Sequence, residues 1–150
     1  MQIEKGFWKN KKVLLTGHTG FKGSWLTILL SHLEAHVLGF SLPAEKKSLF
    51  NKTKILSLIE HEIGDIRNLD HLIKVEKNFS PDILIHMAAQ PLVIRSYEDP
   101  IETFSTNVMG TVNVLEVIRQ SKTITSGVII TSDKCYENKN LKRGFKETDP

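Results

Sequence analysis

Three evenly spaced glycines, Gly17-His18-Thr19-Gly20-Phe21-Lys22-Gly23, follow directly on the apolar run Val13-Leu14-Leu15-Thr16. A chain that turns from strand to helix in so few residues needs backbone angles and close approaches that glycine supplies at least cost. Such a turn aims the unpaired N–H groups of a helix N-terminus at one point. Together with the helix dipole they attract a phosphate. The spacing excludes a Walker A loop, which needs lysine after the last glycine; here Lys22 precedes Gly23-Ser24. A second grouping, Ser132-Asp133-Lys134, sets a hydroxyl, a carboxyl and an ammonium side by side. As a surface ion pair Asp133 and Lys134 would contribute little. Their position just after an apolar run favours a site, because ligands of open α/β sheets bind at the carboxyl ends of strands.

The elements that must carry these groups follow from periodicity. Val13 to Thr16 reads as the first strand. Phe21 to Leu33 reads as a helix, with Phe21, Trp25, Ile28, Leu29 and Leu33 expected on its buried face. His36 to Phe40 is a second strand. It ends Gly39-Phe40-Ser41-Leu42-Pro43, with no acid before Glu45 to hold a ribose, so this position does not separate NAD from NADP. Leu49 to Ser57 suggests a short helix, and Ile59 to Ile63 a third strand running into Gly64-Asp65-Ile66-Arg67. Asn68 is placed to cap the next helix, whose buried side is marked by Leu69, Leu72, Ile73 and Phe79. Ile83 to Met87 is apolar almost throughout, as a strand covered on both faces should be. It leads into the small pair Ala88-Ala89 and then Gln90. His86, inside that strand, reads as a satisfied core histidine. Asp99-Pro100 opens a long helix with the stripe Ile101, Phe104, Val108, Val112, Leu115 and Ile118. Gly110 within it points to close packing or backbone approach. Gly127 to Thr131 is the fifth strand and delivers Ser132.

Strands alternating with helices predict an α/β fold, a Rossmann-type doubly wound parallel sheet of about five strands in the order 3-2-1-4-5. Every candidate residue then falls on one edge of that sheet. The 150 residues suffice for one domain with a core, and 40% apolar with 25% charged residues is a globular composition. The net charge of +3 comes without a basic stripe interleaved with aromatics, which argues against nucleic acid. One cysteine, Cys135, excludes an internal disulfide and fits a reducing cytoplasm. No run is long and apolar enough to span a membrane, and Met1 to Asn10 lacks the apolar core of a secretory signal.

Taken in order, five strings resemble the N-terminal part of the extended short-chain dehydrogenases/reductases that modify nucleotide sugars. They are Gly17-His18-Thr19-Gly20-Phe21-Lys22-Gly23-Ser24-Trp25, Gly64-Asp65-Ile66-Arg67, His86-Met87-Ala88-Ala89-Gln90-Pro91-Leu92-Val93, Thr106-Asn107-Val108-Met109-Gly110-Thr111 and Thr131-Ser132-Asp133-Lys134-Cys135-Tyr136-Glu137-Asn138. The third and fifth strings are the more particular, and they resemble the CDP-glucose 4,6-dehydratase branch. That resemblance implies NAD as cofactor and CDP-glucose as substrate. Hydride would leave C4 of the glucose, water would be lost across C5 and C6, and hydride would return to C6. The product would be CDP-4-keto-6-deoxyglucose, a precursor in bacterial surface polysaccharide such as O-antigen.

By the same resemblance Gly17, Thr19, Gly20, Phe21, Lys22 and Gly23 fall on the pyrophosphate loop. Asp65 and Ile66 match adenine contacts, Ala88, Ala89 and Gln90 lie along the cofactor, and Thr106 and Asn107 order the cofactor region. Ser132 matches the hydroxyl that polarises the C4 oxygen and Asp133 the acid for the departing C6 hydroxyl. That acid must hold its proton near neutral pH. Lys134 stands where related dehydratases carry a glutamate base. No metal is implied. The family's Tyr-x-x-x-Lys pair is absent, since Ile101 and Asn140 stand four residues after Tyr97 and Tyr136. The expectation is therefore an NAD-binding N-terminal fragment, residues 1–150, without the substrate domain and inactive alone. A sister nucleotide-sugar epimerase or reductase, or a binding module without turnover, are the competing readings. A homodimer through the long helix and burial of that helix against its own sheet account for the stripe equally well.

Overall fold

The computed structural model describes residues 4–132, 135–137 and 142–150. Its elements run α1 (Lys5–Trp8), β1 (Lys12–Thr16), α2 (Phe21–His32), β2 (His36–Ser41), α3 (Leu49–Lys52), a 3₁₀ turn (Ile55–Ser57), β3 (Glu60–Ile63), α4 (Leu69–Phe79), β4 (Ile83–His86), α5 (Val93–Glu98), α6 (Pro100–Phe104), a π-helical turn (Ser105–Met109), α7 (Gly110–Gln120) and β5 (Ser126–Ile129). All five strands are parallel, in the order β3-β2-β1-β4-β5 that the alternation predicts. The register aligns Phe40, Thr16, His86 and Ile129 across four strands. The residues that follow these positions therefore share one carboxyl edge.

Each face of the sheet has its own core, because successive strand residues point to opposite sides. On one side Leu14, Leu38, Phe40 and Leu84 meet Leu72, Val75 and Phe79 of α4 and Val114 and Val117 of α7. On the other, Val13, Leu15, Val37, Ile83 and Ile85 meet Leu30 of α2. The ends of α4 and α6 form as their capping residues predict. Asn68 Oδ1 accepts from the His71 N–H at 3.0 Å, and Asp99 Oδ1 from the Glu102 N–H at 2.9 Å. Such caps contribute about 1 kcal/mol each.

Two expected apolar stripes are largely exposed, although Leu33 of the first is buried, its Ile28 is half-buried, and Ile118 of the second packs against the core. In α2 the buried residues are Gly23, Ser24, Thr27 and Leu30, whereas Phe21 and Trp25 are 69% and 55% exposed. The reason is distance: a Cβ on Gly23 would lie 2.1 Å from the Gly17 carbonyl oxygen. The first turns of the helix lie so close to the glycine turn that only small residues fit beneath them, and Phe21 and Trp25 point outward, while Leu30 and Leu33 further along are buried. The long helix is likewise not one helix. The Gly110 N–H donates to the Ser105 carbonyl five residues back, an inserted π turn that rotates the faces before and after it. Ile101, Phe104, Val108, Val112 and Leu115 are exposed, and only Ile118 of the expected stripe joins the core; Val114 and Val117 hold α7 to the sheet. Burial against its own sheet thus does not account for that stripe. The helix α5 has no expected counterpart and carries exposed Val93, Ile94 and Tyr97.

Candidate functional site

The glycine turn at the end of β1 is built by exclusion of side chains. Gly17 has φ +76°, and a Cβ there would sit 2.6 Å from the Ala88 nitrogen, so the turn lies directly against the end of β4. The Gly20 N–H donates to the Gly17 carbonyl at 3.1 Å, and the Ser24 N–H to the Gly20 carbonyl at 2.9 Å. Gly20 itself is exposed, and its missing side chain would meet only the Gly17 oxygen, at 3.3 Å. No side chain caps the N-terminus of α2. Its first N–H groups therefore converge on open space beside Gly20, with Lys22 exposed on the first turn.

Neighbouring strand ends complete the edge. At the end of β2, Thr19 Oγ1 bonds Ser41 Oγ and donates to the Leu42 carbonyl at 3.1 Å, tying the turn to a strand end without an acid. At the end of β3, Arg67 forks onto the Asp65 carboxylate, with Nε 3.0 and 2.9 Å from its two oxygens. These charge-assisted bonds hold Asp65 below the usual carboxylate range. Ile66 is buried against Gly110 of α7, where an added Cβ would lie 2.5 Å from Ile66 Cδ1. The close approach expected at Gly110 is thus real. Asn113 Nδ2 donates to the Ile66 carbonyl at 3.0 Å and fixes the same turn.

At the end of β4, Ala88 and Ala89 follow His86, and Asn107 grips the main chain of Gln90 from both sides. The Gln90 N–H donates to Asn107 Oδ1 at 2.8 Å, and Asn107 Nδ2 donates to the Gln90 carbonyl at 3.0 Å. Asn107 and Thr106 lie in the π turn, which breaks the regular helix where these contacts are made. His86 is 2% exposed and bonded at both ring nitrogens, as a satisfied core histidine should be; burial lowers its pKa. Beside the glycine turn, His18 Nε2 meets His61 Nδ1 at 2.6 Å, and burial with the nearby His61 pushes His18 down to about 4. Ser132 is exposed beyond β5, on the same edge. Asp133 and Lys134 lie outside the described residues.

The turn, the two alanines and Asn107 thus come together, Ser132 follows the carboxyl end of β5 on the same edge, and Asp65 with Ile66 follows β3, two strands from β1. Arg67, Asn113, Thr16 and Thr111 carry the hydrogen bonding of this edge, yet single polar residues in such strings have no spacing that marks them. Among the described residues no group of three or more His, Cys, Asp or Glu could hold a metal ion, and no helix is long and apolar enough to cross a membrane. A parallel 3-2-1-4-5 sheet with an open glycine turn after the first strand defines a Rossmann-type α/β domain.

Comparison with known proteins gives the family. The family model for GDP-mannose 4,6 dehydratase matches residues 14–150. The CDP-glucose 4,6-dehydratase of Salmonella typhimurium is 51% identical over 149 residues, covering 99% of this chain and 42% of that protein. The CDP-paratose 2-epimerase of Salmonella typhi is 31% identical, over 83% of this chain and 38% of its own. Among solved structures, the epimerase Mth375 of Methanothermobacter thermautotrophicus superposes with TM-score 0.80 at 28% identity, over 97% of this chain and 42% of its own. The UDP-glucose 4-epimerase of Brucella ovis, solved in complex with NAD, superposes with TM-score 0.68 at 25% identity, over 79% of this chain and 35% of its own. The chain belongs to the GDP-mannose 4,6-dehydratase family of extended short-chain dehydrogenases/reductases. It spans about two fifths of the length of the relatives it matches.

Proposed function

We propose that the chain forms the NAD-binding part of an enzyme that removes water from CDP-glucose to give CDP-4-keto-6-deoxyglucose. The observation that carries this reading is the 51% identity over 149 residues to a CDP-glucose 4,6-dehydratase, against 31% to a nucleotide-sugar epimerase that shares the fold. The cradle fits the cofactor: Gly17 and Gly23 clear the backbone, and the exposed flank of Gly20 leaves the N–H groups of α2 free for a pyrophosphate. Bound NAD would supply reversible hydride acceptance. Asp65 would accept from the adenine amino group, held in place by Arg67. Ala88, Ala89 and Gln90 would give the cofactor a side-chain-poor surface against β4. Ser132 would polarise the C4 oxygen, and Asp133, with Lys134 beside it, would protonate the departing C6 hydroxyl.

In the test, the whole enzyme of which this chain is the NAD-binding part is supplied with NAD and, in parallel, CDP-glucose, UDP-glucose and GDP-mannose, and the products are read by mass spectrometry. A product lighter by one water from CDP-glucose is expected. The variant Asp133→Asn should slow its formation by about 10²–10⁴-fold, the usual share of a general acid, while NAD affinity holds. Isomerisation without loss of water would favour the epimerase reading, and unchanged dehydration in Asp133→Asn would remove the acid from that residue.

A further inference from the structure

A chain of buried hydrogen bonds runs beneath the cofactor edge and links its three parts. Thr16 Oγ1, fully buried, accepts from the Met87 N–H at 3.1 Å and from the Ala88 N–H at 3.3 Å. The Met87 N–H is shared with the Thr16 carbonyl, at 3.2 Å, and the hydroxyl lies 2.7 Å from its third neighbour, His86 Nδ1, the acceptor within reach of its proton. At the far end, Thr111 Oγ1 donates to the Asn107 carbonyl at 2.7 Å. Its remaining capacity toward His86 Nε2, at 3.2 Å, is that of an acceptor. The two threonines leave one tautomer: Nδ1 accepts and Nε2 carries the hydrogen.

We propose that His86, as the Nε2–H tautomer, is a positioning residue that locks the β1 turn, the β4 exit and the π turn into one preorganised cofactor edge. It touches neither cofactor nor substrate. It acts through Thr16 on the Met87 and Ala88 amides, and through Thr111 on Asn107, whose side chain grips Gln90. A ring with hydrogens on both nitrogens would face Thr16 with a third donor and break the chain of bonds. The lowered pKa of the buried ring agrees with this requirement. The direct route from the turn to the β4 exit also explains why Gly17 must lie against Ala88: a side chain at either close approach would separate Thr16 from the amides it holds.

The inference rests on the cofactor reading for its functional consequence, and the test separates the two. Nitrogen-15 spectra of the imidazole at neutral pH should show His86 protonated at Nε2 alone, and hydrogen exchange at the Gln90 amide should be slow. In His86→Phe that amide should exchange quickly, and the dissociation constant for NAD should rise about tenfold or more, the scale for stranding one buried polar group. His86→Gln, which keeps a donor toward Thr111, should recover most of both. If His86→Phe does not fold, Thr111→Val removes the acceptor for Nε2 together with the bond to the Asn107 carbonyl and should show the same two changes. An Nδ1–H tautomer, an unchanged Gln90 amide, or equal losses in His86→Gln and His86→Phe would overturn the proposal. Failure of the unaltered protein to bind NAD would overturn the cofactor reading alone, and the tautomer and amide exchange would then decide the role of His86.

Discussion

Substituting Gly20→Val tests whether the glycine turn is a phosphate cradle or only a tight connection. Gly20 has φ −73° and ψ 170°, an extended backbone that any L-residue adopts. Its added Cβ would meet the Gly17 oxygen at 3.3 Å, a contact relieved by a shift of a few tenths of an ångström. Valine is a poorer N-cap than glycine by about 1 kcal/mol. For a chain of this length that lowers the melting temperature by about 2–4 °C and leaves the fold intact. The new methyl groups, however, project into the space where the first N–H groups of α2 converge. Losing even one charge-assisted bond to a pyrophosphate weakens binding by about 1.5–3 kcal/mol, tenfold to over a hundredfold. Gly23→Ala is the contrasting variant. Its Cβ would lie 2.1 Å from the Gly17 oxygen and 2.8 Å from His18 Cα, so α2 must move off the turn at a cost of about 1–3 kcal/mol or more. Calorimetric melting and NAD titration of both variants give the comparison. A folded Gly20→Val protein that binds NAD as tightly as the unaltered one would refute the cradle.

Two further outcomes follow from buried and exposed groups away from the cradle. His18 titrates near 4 when folded and near 6.5 when free, so the unfolded chain binds more protons between these values. Stability should be complete above pH 6.5 and should fall as pH drops toward 4. The loss is about 2 kcal/mol, and it should be absent from urea melts of His18→Asn. The outward stripe of Phe104, Val108, Val112 and Leu115 suits a second copy, so Phe104→Glu should halve the mass seen by light scattering. An unchanged mass would remove the dimer through this face.

How much was legible depended on which physical rule governed each position. Strand order, strand positions within one or two residues, the Asn68 and Asp99 caps and the crowding at Gly110 follow from local rules, and they hold. The π turn was not legible, because it depends on Asn107 reaching across to the Gln90 main chain, a pairing 17 residues apart in the chain. Ser132 falls on the expected edge, while Asp133 and Lys134 lie outside the described residues and keep only the support of their strings.

The reversal of α2 is the more instructive failure. Hydrophobic periodicity assigns the apolar side of a helix to the core because burial of large side chains ordinarily dominates. At this turn a second demand overrides it. The helix N-terminus must begin within a few residues of β1, which brings the Gly23 position to 2.1 Å from the Gly17 oxygen and admits only Gly23, Ser24 and Thr27 beneath it. Ser24 and Thr27 satisfy their hydroxyls locally, on the His18 and Gly23 carbonyls, so the small inner face carries no polar penalty. Phe21, Trp25 and Leu29 are left on the outer face and stand exposed, while Leu30 and Leu33, further from the turn, are buried. A glycine turn followed by small residues at helical spacing thus carries two messages. The helix approaches the sheet for the sake of its N-terminus, and the residues of its first turns that face the sheet must be small.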